Sequence, residues 1–157
     1  MIKSLIRFTL AAMTMLPASQ GFAAHYYLQD VEMFDSYAEA FAGQSFSTTR
    51  DVLVAVVTPE LRTNLSETTG VPVEELATIA RFLELLQIDG IGPRAARLLQ
   101  AAGITSAADL AARSPAELLA LLETTNAGFI YTSAHPSMHH VQGWIYEASR
   151  VEFTVVE

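Results

Sequence analysis

Leu86-Gln87-Ile88-Asp89-Gly90-Ile91-Gly92-Pro93-Arg94-Ala95-Ala96-Arg97-Leu98-Leu99 is the stretch on which the fold turns. Apolar residues lead into it at helical spacing, and two glycines bracket one isoleucine. Pro93 then restarts the helical pattern at a position where a helix has no partner for an amide hydrogen. The stretch reads as helix, tight turn, helix: the glycines take turn conformations closed to other residues, and Ile91 plugs the space between the helices. Amide hydrogens of a helix N-terminus placed after such a turn point outward. Gly90, Ile91, Gly92, Arg94 and Arg97 are therefore the candidate contacts for a phosphate group.

Working outward, Pro72 opens the preceding helix with Glu74 and Glu75 in its first turn. Leu76, Ile79, Ala80, Phe82, Leu83, Leu85 and Leu86 lie on enough of its faces to predict burial on most sides. Before it, Thr58-Pro59-Glu60 supplies a cap, a first-turn proline and a first-turn acid for a helix that Gly70 stops. Residues 51–57 are apolar and β-branched, which suggests a strand by propensity. Downstream, Gly103 ends the helix after the turn. Ser106 with Asp109 and Ser114 with Glu117 read as capping boxes for two further helices, running to Arg113 and Glu123. Residues 126–133 are irregular, and His135-Pro136-Ser137 opens a last helix whose apolar stripe is Val141, Trp144, Ile145 and Ala148. Residues 150–157 alternate as an edge strand would. Near the start, Met33, Phe34, Tyr37 and Phe41 predict one short amphipathic helix, with residues 43–49 as a linker.

The residues around the turn match the helix-hairpin-helix motif. Over a longer span, the chain resembles the bacterial helix-hairpin-helix family catalogued as domain of unknown function 4332. The resemblance rests on Thr58-Pro59 with Arg62, Leu65 and Thr69-Gly70-Val71; on Leu83, Ile88 and Gly90-Ile91-Gly92; and on Leu98, Ala101, Gly103-Ile104 and Asp109-Leu110. It continues through Pro136-Ser137, Val141, Trp144-Ile145 and Ala148. It covers residues 50–150 and implies an all-α, compact helical domain with helix-hairpin-helix pairs, of the kind seen in nucleic-acid-binding proteins. It supplies no catalytic residues. Short extended segments are expected near the C-terminus.

The first residues carry a different message. Lys3 and Arg7 flank the start of an apolar run over residues 8–16, followed by Pro17 and small residues up to Ala23-Ala24, the order of a cleavable secretory signal peptide. Cleavage is expected after Ala23, giving a periplasmic or secreted protein with no stable membrane anchor. The 157 residues include no cysteine, which excludes disulfides, thiolate metal sites, a thiol nucleophile and a lipoprotein anchor. The expected organisation is 1–23 signal peptide, 24–49 aromatic-rich segment with one short helix, 50–150 helix-hairpin-helix domain and 151–157 tail.

Charge then weighs on function. Removing Lys3 and Arg7 from the nine basic residues leaves seven against seventeen acids, a formal charge of −10. Phosphate backbones are held by cationic side chains that displace counterions, so an acidic chain disfavours nucleic acid as partner. Even the unit around the turn, residues 82–122, sets Arg94, Arg97 and Arg113 against Glu84, Asp89, Asp109 and Glu117. His135, His139 and His140 form the one cluster with metal-ligand character, since histidines four apart on a helix project the same way. No catalytic constellation stands out, because Thr58, Ser106 and Ser114 are all placed as helix caps. The residues therefore lead to a non-enzymatic binding or protein-interaction module, with no cofactor. The alternatives are an extracytoplasmic nucleic-acid binder and a histidine-based metal binder. The aromatic stretch from Tyr26 to Phe46 is read mainly as a cover for the helical domain, and secondly as a partner-binding surface.

Overall fold

A computed structural model describes residues 25–151 and 154–157. The signal peptide expected over residues 1–23 lies outside the described residues. Eight α-helices follow one another among the described residues: α1 Ala38–Phe41, α2 Thr49–Val56, α3 Pro59–Thr69, α4 Val73–Leu86, α5 Pro93–Ala101, α6 Ala107–Ala111, α7 Pro115–Thr125 and α8 Met138–Ala148. The regular structure among the described residues is all helical, the class that the family resemblance implies, and no helix among them is long and apolar enough to cross a membrane.

Helix α4 is the hub. Eight of its fourteen residues are buried, and it packs against α2, α3 and α5. Each large apolar side chain buried in this way contributes about 1.5–3 kcal/mol of transfer free energy, which is why the helix with the most apolar faces sits in the middle. Helix α8 lays Val141, Trp144 and Ala148 against α6 and α7. Punctuation follows the residues that announce it. Pro59 and Pro93 open α3 and α5, and Gly70, at a left-handed φ of 74°, closes α3.

Residues 51–57 depart from their strand propensity and form most of α2. Thr48 Oγ1 accepts from the Asp51 amide at 3.4 Å while Asp51 Oδ2 accepts from the Thr48 amide at 2.8 Å, a reciprocal cap that starts a helix. Val52, Leu53 and Val56 then fall on one buried face, so helical spacing outweighs β-branching. The segment expected as one amphipathic helix near the start is a 3₁₀ stretch, Glu32–Tyr37, running into α1. Ser114 makes no side-chain cap for α7, so the second predicted capping box is absent. In the first, Ser106 Oγ accepts from the Asp109 amide at 3.0 Å, but the Asp109 carboxylate reaches back to Thr105 rather than Ser106. No strand forms among the described residues; the nearest approach is a single antiparallel bridge between Tyr27 and Thr48. Val31, Phe34 and Phe41 belong to the same buried core as the helices after Thr49, so the aromatic segment is part of the packed unit.

Candidate functional site

The turn between α4 and α5 places Ile91 in the core, 2 % exposed, with its amide donating to the Ile88 carbonyl at 3.0 Å. Gly90 has φ of 81°, a conformation that L side chains avoid, and a Cβ there would lie 3.2 Å from Trp144 Nε1. The second glycine differs from expectation. Gly92 is extended, at φ −89° and ψ 174°, so its backbone is open to any residue; it caps α5 without a side chain. Only Gly90 is required by conformation.

The charges around the turn are mostly committed elsewhere. Arg97 pairs with Glu32 at 3.2 Å, and Arg113 pairs with Asp109 at 2.7 Å. Arg94, exposed in the first turn of α5, has no ion pair or side-chain hydrogen bond among the described residues. Asp89 is exposed immediately before the turn. Around this turn, two of the three arginines are thus paired with acids and Arg94 is not.

The histidines are spread over different partners. His135 packs on Phe129 with ring centroids 4.9 Å apart, and His140 stacks on Trp144 at 6.3 Å. His140 also completes a capping box with Ser137 at the start of α8, Nδ1 lying 3.2 Å from the Ser137 hydroxyl. His139 lies 6.4 Å from His140, centroid to centroid. Among the described residues, no three His, Cys, Asp or Glu side chains are grouped closely enough to hold a metal ion.

The aromatic segment makes an open concavity. Tyr27, Phe34, Phe41 and Phe46 line an open groove of about 690 Å³, with Asp35 its single charged lining residue. The aromatics brace one another: Phe41 meets Phe46 edge-on at 5.6 Å and stacks with Tyr37 at 5.8 Å. Tyr37 donates to Glu75 of α4 at 3.0 Å, and Glu32 holds Arg97 of α5, so the 3₁₀ stretch that carries Phe34 and Asp35 is tied to α4 and α5. Burial, and then the Glu75 carboxylate, push the Tyr37 hydroxyl pKa above its usual value. Pocket-sized concavities lined by aromatic side chains with a few polar groups at the rim are the usual form of binding sites.

Thr49, Arg62, Glu84 and Asn126 are buried polar residues among the described ones, and sequence reasoning gave none of them a structural role, Arg62 entering only as part of the family pattern. Glu84 is 0 % exposed in the middle of α4, Arg62 is 4 % exposed on α3, and Asn126 is 0 % exposed after α7. Glu84 had a visible signal, an acid between Phe82-Leu83 and Leu85-Leu86 in a helix predicted to be buried. Asn126 accepts from the Tyr131 and Thr132 amides and donates to the Thr132 carbonyl and hydroxyl, which fixes the loop before α8.

A family model described as "Domain of unknown function (DUF4332)" matches residues 31–151, so the match begins within the aromatic segment. No curated protein and no solved structure matches the chain.

Proposed function

Because the chain belongs to the Domain of unknown function (DUF4332) family, we propose a role for it from its own geometry: a non-enzymatic binding module, exported from the cytoplasm, that takes a partner protein segment in its aromatic groove. The observation that carries this reading is the 690 Å³ groove lined by Tyr27, Phe34, Phe41 and Phe46. Tyr27 is exposed on the groove and Phe46 is half-buried, over a floor made by the buried Phe34 and Phe41, so a partner side chain would meet a surface already packed in place, which favours association. The hydroxyls of Thr58 and Ser106 are engaged by backbone amides, consistent with a structural rather than nucleophilic use. The helix-hairpin-helix pair, α4 and α5, acts in this reading as architecture: through Glu75 and Arg97 it anchors the 3₁₀ stretch that carries Phe34 and Asp35. The pattern of residues 1–23 supports the exported location.

Replacing Ala38, an exposed residue lining the groove, by Trp fills the space and leaves the core side chains intact. The Ala38→Trp chain is expected to lose a partner that co-purifies with the unmodified chain. Retention of that partner at equal yield rules the groove out.

The uncommitted Arg94 favours a second reading, phosphate or nucleic-acid binding at the amides that open α5. The engagement of Arg97 and Arg113 weighs against it. Titration with duplex DNA at low salt separates the two. Saturable binding abolished by Arg94→Gln establishes the second reading, and no binding removes it.

A further inference from the structure

Two buried side chains of opposite charge, neither of them lining the groove, hold one short extended segment. Glu84 Oε2 accepts from the Val155 amide at 2.6 Å, and Arg62 Nη2 donates to the Val156 carbonyl at 2.7 Å. The Val156 amide donates to the Val57 carbonyl at 2.9 Å. Arg81 then grips the Glu157 carboxylate through both Nε, at 2.8 Å, and Nη2, at 2.6 Å. Each contact falls on a main-chain group or on a carboxylate, so the pattern reads as recognition of an extended peptide.

We propose that Glu84, Arg62, Arg81 and the Val57 carbonyl form a peptide-recognition slot for an extended segment of a partner protein, one carrying an apolar residue and, two positions later, an acid. The chain's own residues 155–157 occupy the slot as an internal competitor. This site stands independently of the aromatic groove.

The slot is built without the tail. The other Glu84 oxygen, Oε1, accepts from the Ala107 amide at 2.7 Å, and Arg62 Nη1 donates to the Val56 carbonyl at 2.9 Å. Each side chain thus has a second anchor that does not involve the tail. What departure removes is one partner from each buried charge, a costly state that refilling relieves. The tail is held by polar contacts more than by packing. Val155 is its half-buried anchor, while Val156 is 53 % exposed and the Glu157 side chain 62 % exposed. Segments with few buried contacts open first. The register sets the preference: the amide of the first residue meets Glu84, the amide and carbonyl of the second meet Val57 and Arg62, and the acid of the third meets Arg81. Main-chain bonds supply affinity and alternate side chains supply choice, as when a strand is added to a sheet edge.

The test uses the full chain and a fluorescein-labelled peptide with the sequence of residues 150–157, followed by fluorescence anisotropy. In the unmodified chain the tethered tail competes at an effective concentration on the order of millimolar. Val155→Pro removes the amide hydrogen that Glu84 accepts and leaves every slot residue unchanged. The Val155→Pro chain is expected to bind the peptide at least about tenfold more tightly than the unmodified chain. A peptide carrying the same proline is expected to lose binding. Glu157→Ala loosens the exposed end of the tail and gives a smaller tightening in the same direction; it carries the test if the proline chain loses its helical circular dichroism. The proposal is overturned if a folded tail variant binds no more tightly than the unmodified chain, or if the proline peptide binds as well as the original.

Discussion

Gly90→Ala tests the packing of the hairpin turn, and its cost can be worked out by comparison with Gly70→Ala. Both glycines have left-handed φ, 81° and 74°, but only Gly90 has a neighbour: its Cβ would lie 3.2 Å from Trp144 Nε1, whereas nothing lies within 4 Å at Gly70. A Cβ in the left-handed region costs roughly 1–2 kcal/mol. The narrower unfolded ensemble of alanine offsets about 0.4–1 kcal/mol of that. Gly70→Ala should therefore cost about 1 kcal/mol, the backbone contribution alone. At Gly90 the added methyl must also displace Trp144, which is 6 % exposed and held in α8. Overpacking of this kind adds about 1–3 kcal/mol. Urea unfolding followed by circular dichroism measures both costs. Emission from Trp144, the single tryptophan, reports the local shift. Gly90→Ala is expected to cost at least about 1 kcal/mol more than Gly70→Ala and to change Trp144 emission, which Gly70→Ala leaves alone. Equal costs with unchanged emission would refute the close approach of α8 to the turn.

Three further outcomes follow from the buried and capping polar groups. Glu84→Leu leaves the buried Ala107 amide without an acceptor, while the part-buried Val155 amide can turn to water, so at about 1–3 kcal/mol for one unsatisfied buried group it should destabilise by that much in urea melts; a neutral result contradicts the Ala107 bond. Asn126→Ala strips the Tyr131 and Thr132 amides in the same way, and faster hydrogen exchange confined to residues 129–132 is the expected readout. The Asp51 carboxyl is held below its usual pKa, first by the Ser47 and Thr48 amides, so its stabilisation is present above the ordinary carboxylate range and is lost as pH falls through the depressed folded value. Asp51→Asn should therefore flatten the acid side of the stability–pH curve, and an unchanged acid limb would show that the cap carries no linkage.

The parts of the fold written in local chemistry were legible. Pro59, Gly70, Pro93 and Ser137 act within a few residues of themselves, and the structure places a helix boundary at each. Residues 51–57 misled because propensity was weighed before the cap: Thr48 and Asp51 stand three apart, the spacing of a reciprocal cap, directly ahead of the β-branched run. Ser114 misled in the opposite direction, since a serine before proline at the right spacing does not oblige its hydroxyl to turn toward the helix. The candidate site was less legible because its meaning depends on distant partners. Nothing local to Arg97 announces Glu32, sixty-five positions earlier, yet that pair removes Arg97 from the hairpin surface. Arg62 and the Val156 carbonyl are ninety-four positions apart, so the slot exists only once the chain has folded.

The central claim, that the aromatic groove binds a partner protein, is tested most directly by placing a photo-crosslinking amino acid at Tyr27, 61 % exposed on the groove, and at Ala108, exposed on α6, in the producing cell. The expected result is a discrete protein adduct from position 27 that survives nuclease treatment, with none from position 108. Adducts of equal yield at both positions, an adduct destroyed by nuclease, or none from position 27 would contradict it.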